Sequence, residues 1–404
     1  MVELEYYINP LTTFLNSRKN KFLLIKGFAG VGKTSLIKMF LKTIKNKKIA
    51  ITAPTNNAVD LIRTDLKIDA TFGTIQTFLN LESKYNYSSG ELNFERNLLR
   101  RNNFKIFDLL IIDESSMLED KILIDILSQK TKCKIIFLGD EFQIPPVNNS
   151  NEFIFDKEFQ KEFKIEVLEL SNILRQDKNN DVIKLSEILR TNINNDIDIY
   201  SILKQFNKNI KLIDINNLNE ILPKYLPDSI KIIGYTNKTI EKLNDICRSY
   251  LFENQNKLIP NEKIIIDSTY SINDNKILYT NEVVTIIDYR IDWIMGFKTY
   301  HAKIMNNKNK CFEIKIIHED SEIMLDVCLT NLSKFNKWKE FYELNNIFCK
   351  IKHCYAITCH KAQGNTYENS VIMLRDIMKN KNIKERNRII YTAFTRSRNM
   401  NWVI

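Results

Sequence analysis

Gly27-Phe28-Ala29-Gly30-Val31-Gly32-Lys33-Thr34 is the stretch that decides the fold. It fits G-x-x-x-x-G-K-[ST], the phosphate-binding loop pattern. The apolar run Phe22-Leu23-Leu24-Ile25 before it reads as a buried strand. After it, Leu36, Ile37, Phe40 and Leu41 fall on one face of a helix. Glycines let backbone N–H groups close around phosphate oxygens, and the helix N-terminus adds its partial positive charge. In this pattern Lys33 reaches the β- and γ-phosphates, and the Thr34 hydroxyl holds Mg²⁺. A glycine-rich turn can arise by chance, but here the full pattern and its strand-turn-helix context coincide.

Working outward, the same design recurs. Lys48-Ile49-Ala50-Ile51-Thr52 reads as a strand running into Ala53-Pro54-Thr55-Asn56-Asn57, where Pro54 ends it and a helix begins. Phe107–Ile112 is a buried apolar run ending in Asp113-Glu114-Ser115-Ser116-Met117. Lys134–Leu138 is another, ending in Gly139-Asp140-Glu141-Phe142-Gln143-Ile144-Pro145-Pro146-Val147. Apolar strands alternating with helices predict an α/β fold with parallel sheets covered on both faces. In such sheets ligands collect at the carboxyl ends of strands, where each of these polar clusters falls.

Asp113-Glu114 is the acidic element a phosphate-binding loop requires. Asp113 is placed to hold Mg²⁺, and Glu114 to orient and deprotonate an attacking water. Strand-end carboxylates also cap helices, but pairing with the loop favours the catalytic reading. The neutral amide of Gln143 suits a group that touches the γ-phosphate or the water. Arg175, in Leu174-Arg175-Gln176, and Arg396, in Tyr391–Arg396, are candidates to neutralise charge on a transferring phosphoryl group. Either arginine also fits a surface ion pair.

The chain of 404 residues suggests two to three domains of roughly 150 residues. Its 44% hydrophobic and 27% charged residues describe an ordinary soluble globular protein. A net charge of +10 suits a polyanionic partner, although a generally Lys-rich surface has the same effect. Seven cysteines form no C-x-x-C pair. Cys349, His353, Cys354, Cys359 and His360 lie close together, but their spacing fits no structural zinc pattern. Reduced thiols in a cytoplasmic compartment are expected. No run of 18 apolar residues is present, and Met1–Glu5 lacks the features of a signal peptide, so no membrane association is expected.

A second α/β unit is predicted from Ile165, with a helix over Asp181–Arg190, a strand over Lys231–Thr236 and a helix over Thr239–Phe252. Between 253 and 349 the pattern changes. Lys263–Ile266, Glu282–Ile287, Cys311–Ile317 and Glu322–Cys328 read as short strands of a β-rich insertion. The α/β pattern resumes at Tyr355–Thr358, Ser370–Leu374 and Glu385–Thr395. Residues 82–104 read as a small insertion, a hairpin turning at Ser88-Ser89-Gly90.

Taken together, the motifs resemble those of superfamily 1 helicases, in the branch containing Dda-like and RecD-like enzymes. Gly27–Thr34 is like motif I, Ala53–Asn57 like Ia, Asp113–Met117 like II, and Gly139–Val147 like III. Arg175-Gln176 is similar to motif IV, Tyr355–Thr366 to V, and Tyr391–Arg396 to VI. The resemblance spans nearly the whole chain. It implies two RecA-like domains: 1–164, carrying the wedge-like insertion at 82–104, and 165–252 with 350–404. The insertion at 253–349 corresponds to an SH3-like subdomain. ATP and Mg²⁺ are the implied cofactors, with Ser35 and Gly364 joining Gly27–Thr34 at the nucleotide. The implied catalytic set is Lys33, Asp113, Glu114, Gln143, Arg175 and Arg396.

Implied DNA contacts are Pro54, Thr55, Asn56, Thr74, Gln76, Thr358, His360 and Lys361, small polar groups suited to sequence-neutral phosphate contact. The implied partners are single-stranded DNA, duplex junctions and replication or repair proteins, with no oligomer required. Phe72, Phe78 and Tyr85 are available for base stacking, though packing suits the first two better. One departure stands out: relatives carry a Gln before motif I that reads adenine, and none lies between Met1 and Gly27. Asn9, Asn16 and Asn20 are the amides left for that task, with stacking as the other route. The readings to separate are 5′-to-3′ helicase, DNA-stimulated translocase that remodels complexes without unwinding, and P-loop switch.

Overall fold

The computed structural model describes residues 2–97, 99, 102–146, 153–170, 180–253, 256–273 and 276–404. These divide into two compact units. One comprises Met1–Asn80, Leu98–Ile240 and Ile357–Ile404, and the other Leu81–Asn97 with Glu241–Ala356.

The strands in the first half of the chain are β1 (Phe22–Gly27), β2 (Ile49–Ala53), β3 (Thr71–Thr74), β4 (Leu81–Asn86), β5 (Glu91–Arg96), β6 (Leu109–Ile112), β7 (Lys134–Gly139) and β8 (Ile165–Leu170). Six of them form one sheet in the order β3-β2-β6-β7-β1-β8, with every adjacent pair parallel. Its central strands are continuous apolar runs because both faces are covered. Leu36, Ile37, Phe40 and Leu41 pack on it from the helix Lys33–Thr43, and Val59, Ile62 and Leu66 from the helix Asn56–Leu66. Burying each such side chain contributes about 1.5–3 kcal/mol.

The later strands are β9 (Ile210–Leu212), β10 (Ile230–Gly234), β11 (Lys263–Ile266), β12 (Tyr270–Asn273), β13 (Lys276–Leu278), β14 (Val283–Ile294), β15 (Phe297–Asn306), β16 (Cys311–Ile317), β17 (Ile351–His353), β18 (Ala356–Thr358), β19 (Tyr367–Ile372) and β20 (Ser397–Val403). A second sheet has the order β18-β10-β19-β20-β9, with β10, β19, β20 and β9 paired in parallel. The helix Ile383–Phe394 that precedes β20 is buried along nearly its whole length. Its motif residues are therefore held as core rather than as surface.

Two expectations need correction. Ile165–Leu170 does not open the second α/β unit. It pairs with β1 along its length, Phe22 opposite Ile165 through Gly27 opposite Leu170, as the edge strand of the first sheet. Glu322–Cys328 is not a strand but part of the helix Glu319–Lys334. Leu325, Cys328 and Leu329 pack against Phe297 and Phe348 at helical spacing. Three acidic residues occupy the first turn behind a His318 cap, where the helix dipole favours them.

The second unit is built on an antiparallel sheet, β16-β15-β14-β11-β17, with Ile264, Ile266, Val284, Ile286, Ile304 and Ile316 in its core. The hairpin β4–β5 groups with this unit. Tyr85 stacks on Tyr342 at a centroid distance of 3.9 Å, and Tyr342 Oη donates to the Gly90 carbonyl at 2.6 Å. Among the described residues no helix is long and apolar enough to cross a membrane.

The second unit also holds a buried ion pair. Arg248 Nε lies 2.8 Å from Glu262 Oε1, with side-chain exposures of 4% and 0%. The Tyr355 hydroxyl donates to the same carboxylate at 3.2 Å. Removing Arg248 leaves the buried Glu262 carboxylate with only His353, at 3.1 Å, and Tyr355. Arg248→Met is expected to cost roughly 3–5 kcal/mol in urea unfolding, and adding Glu262→Leu to recover most of it. Equal losses in the single and double variants would contradict this account.

Candidate nucleotide site

The phosphate-binding loop leaves β1 at Gly27 and enters the helix at Lys33. Gly30 and Gly32 both have φ of +88°, a left-handed conformation that admits glycine without steric cost. The Lys33 ammonium folds over the loop and donates to the carbonyls of Gly27 at 2.6 Å and Phe28 at 3.2 Å. Phe28 lies face-on to the Arg190 guanidinium at 3.7 Å. Thr34 and Ser35 occupy the first turn of the helix, Thr34 half-buried and Ser35 exposed.

Asp113 and Glu114 follow β6, next to β7 and two strands from β1. The Asp113 N–H donates to the Thr52 carbonyl at 2.8 Å, and the Glu114 N–H to Asp113 Oδ1 at 2.9 Å. Glu114 has a φ of +49°, a strained backbone for a residue with a side chain. Both carboxyls retain some accessible surface but are enclosed by protein. Burial raises the pKa of Asp113 above the ordinary carboxylate value, against the pull of the Glu114 N–H and Lys33. Burial and the neighbouring Asp113 charge raise Glu114 to about 7, with Arg396 and Lys33 pulling the other way.

The second sheet supplies the facing groups. Arg396 is buried, its guanidinium donating to the carbonyls of Thr392 at 3.1 Å and Asn365 at 3.4 Å and to Thr395 Oγ1 at 3.1 Å. Gly364 has a φ of +77°, and a Cβ there would lie 3.5 Å from Ala58 Cβ and 4.0 Å from Glu114 Cγ. Gln143 is buried, donating to Asp140 Oδ2 at 3.4 Å and accepting from Gln363 Nε2 at 3.1 Å. The structure thus brings Lys33, Asp113, Glu114, Gly364 and Arg396 into one neighbourhood. Arg175, Gln176 and Val147 lie outside the described residues.

Thr55, Thr74 and Thr358 stand at the carboxyl ends of β2, β3 and β18. Each hydroxyl accepts a backbone N–H at the start of the next helix: Ala58, Thr77 and Lys361 respectively. Pro54, Asn56, Gln76, His360 and Lys361 are partly exposed around them. Burial lowers the pKa of His360, which keeps its ring neutral at neutral pH. Phe78 packs against Phe104 and Phe107 in the core, and the Arg63 guanidinium sits over Phe72. Of the candidate adenine-reading amides, Asn20 is committed to Glu166 on β8.

Sequence reasoning did not single out Tyr391, Asp140 or Gln363. The Tyr391 hydroxyl accepts from the Ala29 N–H of the phosphate loop at 3.0 Å and donates to Asp140 Oδ2 at 2.8 Å. Arg388 donates to the Glu141 carbonyl at 2.8 Å. All four lie within or beside quoted motifs, and that placement was the available signal.

A phosphate loop, a strand-end acidic pair and a buried arginine from a second parallel sheet define a P-loop ATPase with two RecA-like sheets. Known proteins agree. An AAA domain family model matches residues 11–206, and a UvrD-like helicase C-terminal domain model matches residues 353–404. The ATP-dependent DNA helicase dda of Enterobacteria phage T4 is 26% identical, over 88% of each chain. The RecBCD enzyme subunit RecD of Buchnera aphidicola (subsp. Schizaphis graminum) is 27% identical, over 94% of this chain and 69% of its own. The fold matches the Pif1 helicase from Bacteroides in complex with ADP-AlF3 and ssDNA. That match has a TM-score of 0.53 and 15% identity, and covers 98% of this chain and 91% of the other. These findings support the resemblance of the motifs to superfamily 1 helicases of the Dda-like and RecD-like branch.

The raised Glu114 pKa has a consequence for stability. Between about 4.5 and about 7 the folded protein holds a proton that the unfolded chain releases, so Glu114 costs stability as pH rises through that window. Glu114→Gln is expected to melt higher than the parent above pH 7 without nucleotide, the gap closing below about pH 4.5. A gap that does not vary with pH would refute the assignment.

Proposed function

We propose that the protein is an ATP-dependent DNA helicase that steps 5′ to 3′ on single-stranded DNA and parts duplex ahead of it. The observation that supports this reading is that groups of both parallel sheets meet around Glu114. Glu114 belongs to the first, and Arg396 and Gly364 stand opposite it from the second. Hydrolysis in such a site depends on how the sheets meet, so turnover is tied to their relative movement.

ATP is held by the loop N–H groups of Gly27–Thr34, with Ser35 beside them and Lys33 on the β- and γ-phosphates. Thr34 and Asp113 offer a hydroxyl and an enclosed carboxylate, the hard-oxygen donors Mg²⁺ prefers. No group of three His, Cys, Asp or Glu side chains among the described residues is placed to hold a metal alone. That fits an ion completed by substrate phosphates and water. When bound, Mg²⁺ neutralises charge on the β- and γ-oxygens. Glu114, with a pKa of about 7, is tuned to accept a proton from the attacking water near neutral pH. Gln143 contacts the γ-phosphate or that water. Arg396, with Arg175, neutralises charge on the transferring group.

The DNA strand runs along the strand-end loops of both sheets, over Pro54, Thr55, Asn56, Thr74 and Gln76 and then Thr358, His360 and Lys361. Its phosphates are gripped without reading sequence. The hairpin β4–β5, braced by Tyr342, is the wedge. Replication or repair proteins are the fitting partners, and the cytoplasm the fitting compartment.

Lys33→Ala is expected to abolish ATP turnover while single-stranded DNA still binds. Single-strand affinity should fall with salt at a log–log slope of about −0.7 per phosphate contact. The deciding experiment is strand separation on duplexes with a 5′ or a 3′ tail. Unwinding from the 5′ tail alone is the expected outcome. DNA-stimulated ATPase without unwinding would point to a translocase that remodels complexes. ATPase indifferent to DNA would point to a nucleotide switch.

A further inference from the structure

The proposed function requires that the nucleotide site and the DNA-gripping loops sense each other. One buried hydrogen-bond chain runs between them. It starts at the Ala29 N–H of the phosphate loop, which donates to Tyr391 Oη at 3.0 Å. Tyr391 donates in turn to Asp140 Oδ2 at 2.8 Å. Gln143 Nε2 donates to the same oxygen at 3.4 Å, and Gln143 Oε1 accepts from Gln363 Nε2 at 3.1 Å. Gln363 Nε2 also donates to the Ile144 carbonyl at 3.2 Å, and its backbone N–H donates to the His360 carbonyl at 3.4 Å.

The chain alternates between the sheets. Ala29, Asp140 and Gln143 belong to loops of the first sheet, and Tyr391 and Gln363 to elements of the second. The Tyr391, Asp140, Gln143 and Gln363 side chains are all buried, with 0–4% exposure. Water does not stand ready to replace a broken link, so the chain is either made or costly to break. The Tyr391 hydroxyl is its pivot. It occupies a phosphate-loop N–H and reaches an aspartate beside Gln143 with the same oxygen. The phenol ring is fixed within the helix Ile383–Phe394, and Arg396, two residues past its end, is tied back to it by the bond to the Thr392 carbonyl.

We propose that Tyr391 is a positioning residue. Its hydroxyl sets the phosphate loop against Asp140 and Gln143, so that nucleotide state at the loop is conveyed through Gln363 to the DNA-contacting segment Thr358–Lys361. This rests on the helicase reading given above. By linkage, the chain must also carry the reverse effect, in which bound DNA shifts nucleotide affinity by the same factor.

The test uses the full chain and a fluorescent oligothymidylate, titrated with and without ADP–aluminium fluoride. In the parent, the nucleotide analogue is expected to change oligothymidylate affinity by about 5–150-fold, the usual range of coupling. Tyr391→Phe keeps the ring and loses only the hydroxyl. Its coupling factor is expected to fall below about 3-fold, with nucleotide-free DNA affinity unchanged and the loss of DNA-stimulated ATPase in kcat rather than in KM for ATP. Gln363→Leu breaks the chain at its other end and should give the same loss if Tyr391→Phe folds poorly. The double variant should be no worse than either single one, as expected of members of one chain. A Tyr391→Phe protein with parent-like coupling overturns the proposal, as does additive loss in the double variant. A parent in which nucleotide does not alter DNA affinity overturns the helicase reading itself, which separates the two failures.

Discussion

Two neighbouring carboxylates, Asp113 and Glu114, are enclosed by protein at the end of a buried strand, and the rest of the molecule is arranged around that charge. Burial pushes both toward their protonated forms, and the Asp113 charge pushes Glu114 further. The cations that oppose this come from different places, Lys33 from the same sheet and Arg396 from the other. A site whose electrostatics are balanced from two sides has its chemistry only when both sides are present. The architecture that follows is two parallel sheets in one compact unit, meeting at strand ends rather than along strand edges.

Local chemistry was legible in the sequence wherever one segment carried its own context. The loop Gly27–Thr34, the acidic pair after Leu109–Ile112 and the motif VI arginine lie where strand, turn and helix patterns predict. What the sequence could not convey was partnership. Ile165–Leu170 reads correctly as a strand, but its alternating residues do not say which sheet it will edge. Glu322–Cys328 is short and apolar enough to suit a strand, and its helical pattern only emerges once Phe297 and Phe348 are in place to receive Leu325. Tyr391 lay inside a recognised motif, yet its importance depends on an N–H and a carboxylate more than 250 positions away.

The second unit shows the same principle in apolar and aromatic form. The hairpin β4–β5 would be a marginal structure alone, since two strands bury too little. It is fixed by the stack of Tyr85 on Tyr342 and the bond from Tyr342 to Gly90, so its rigidity is borrowed from a helix some 250 positions on. A Cβ at Gly90 would fall 2.5 Å from the Trp338 ring, so close seating also depends on a missing side chain.

Gly364 gives the nucleotide site a similar property. A single methyl group there would already touch Ala58, with Glu114 just beyond. The bare backbone lets the two sheets come within van der Waals reach of each other at this point, in a left-handed conformation that a residue with a side chain holds only under strain.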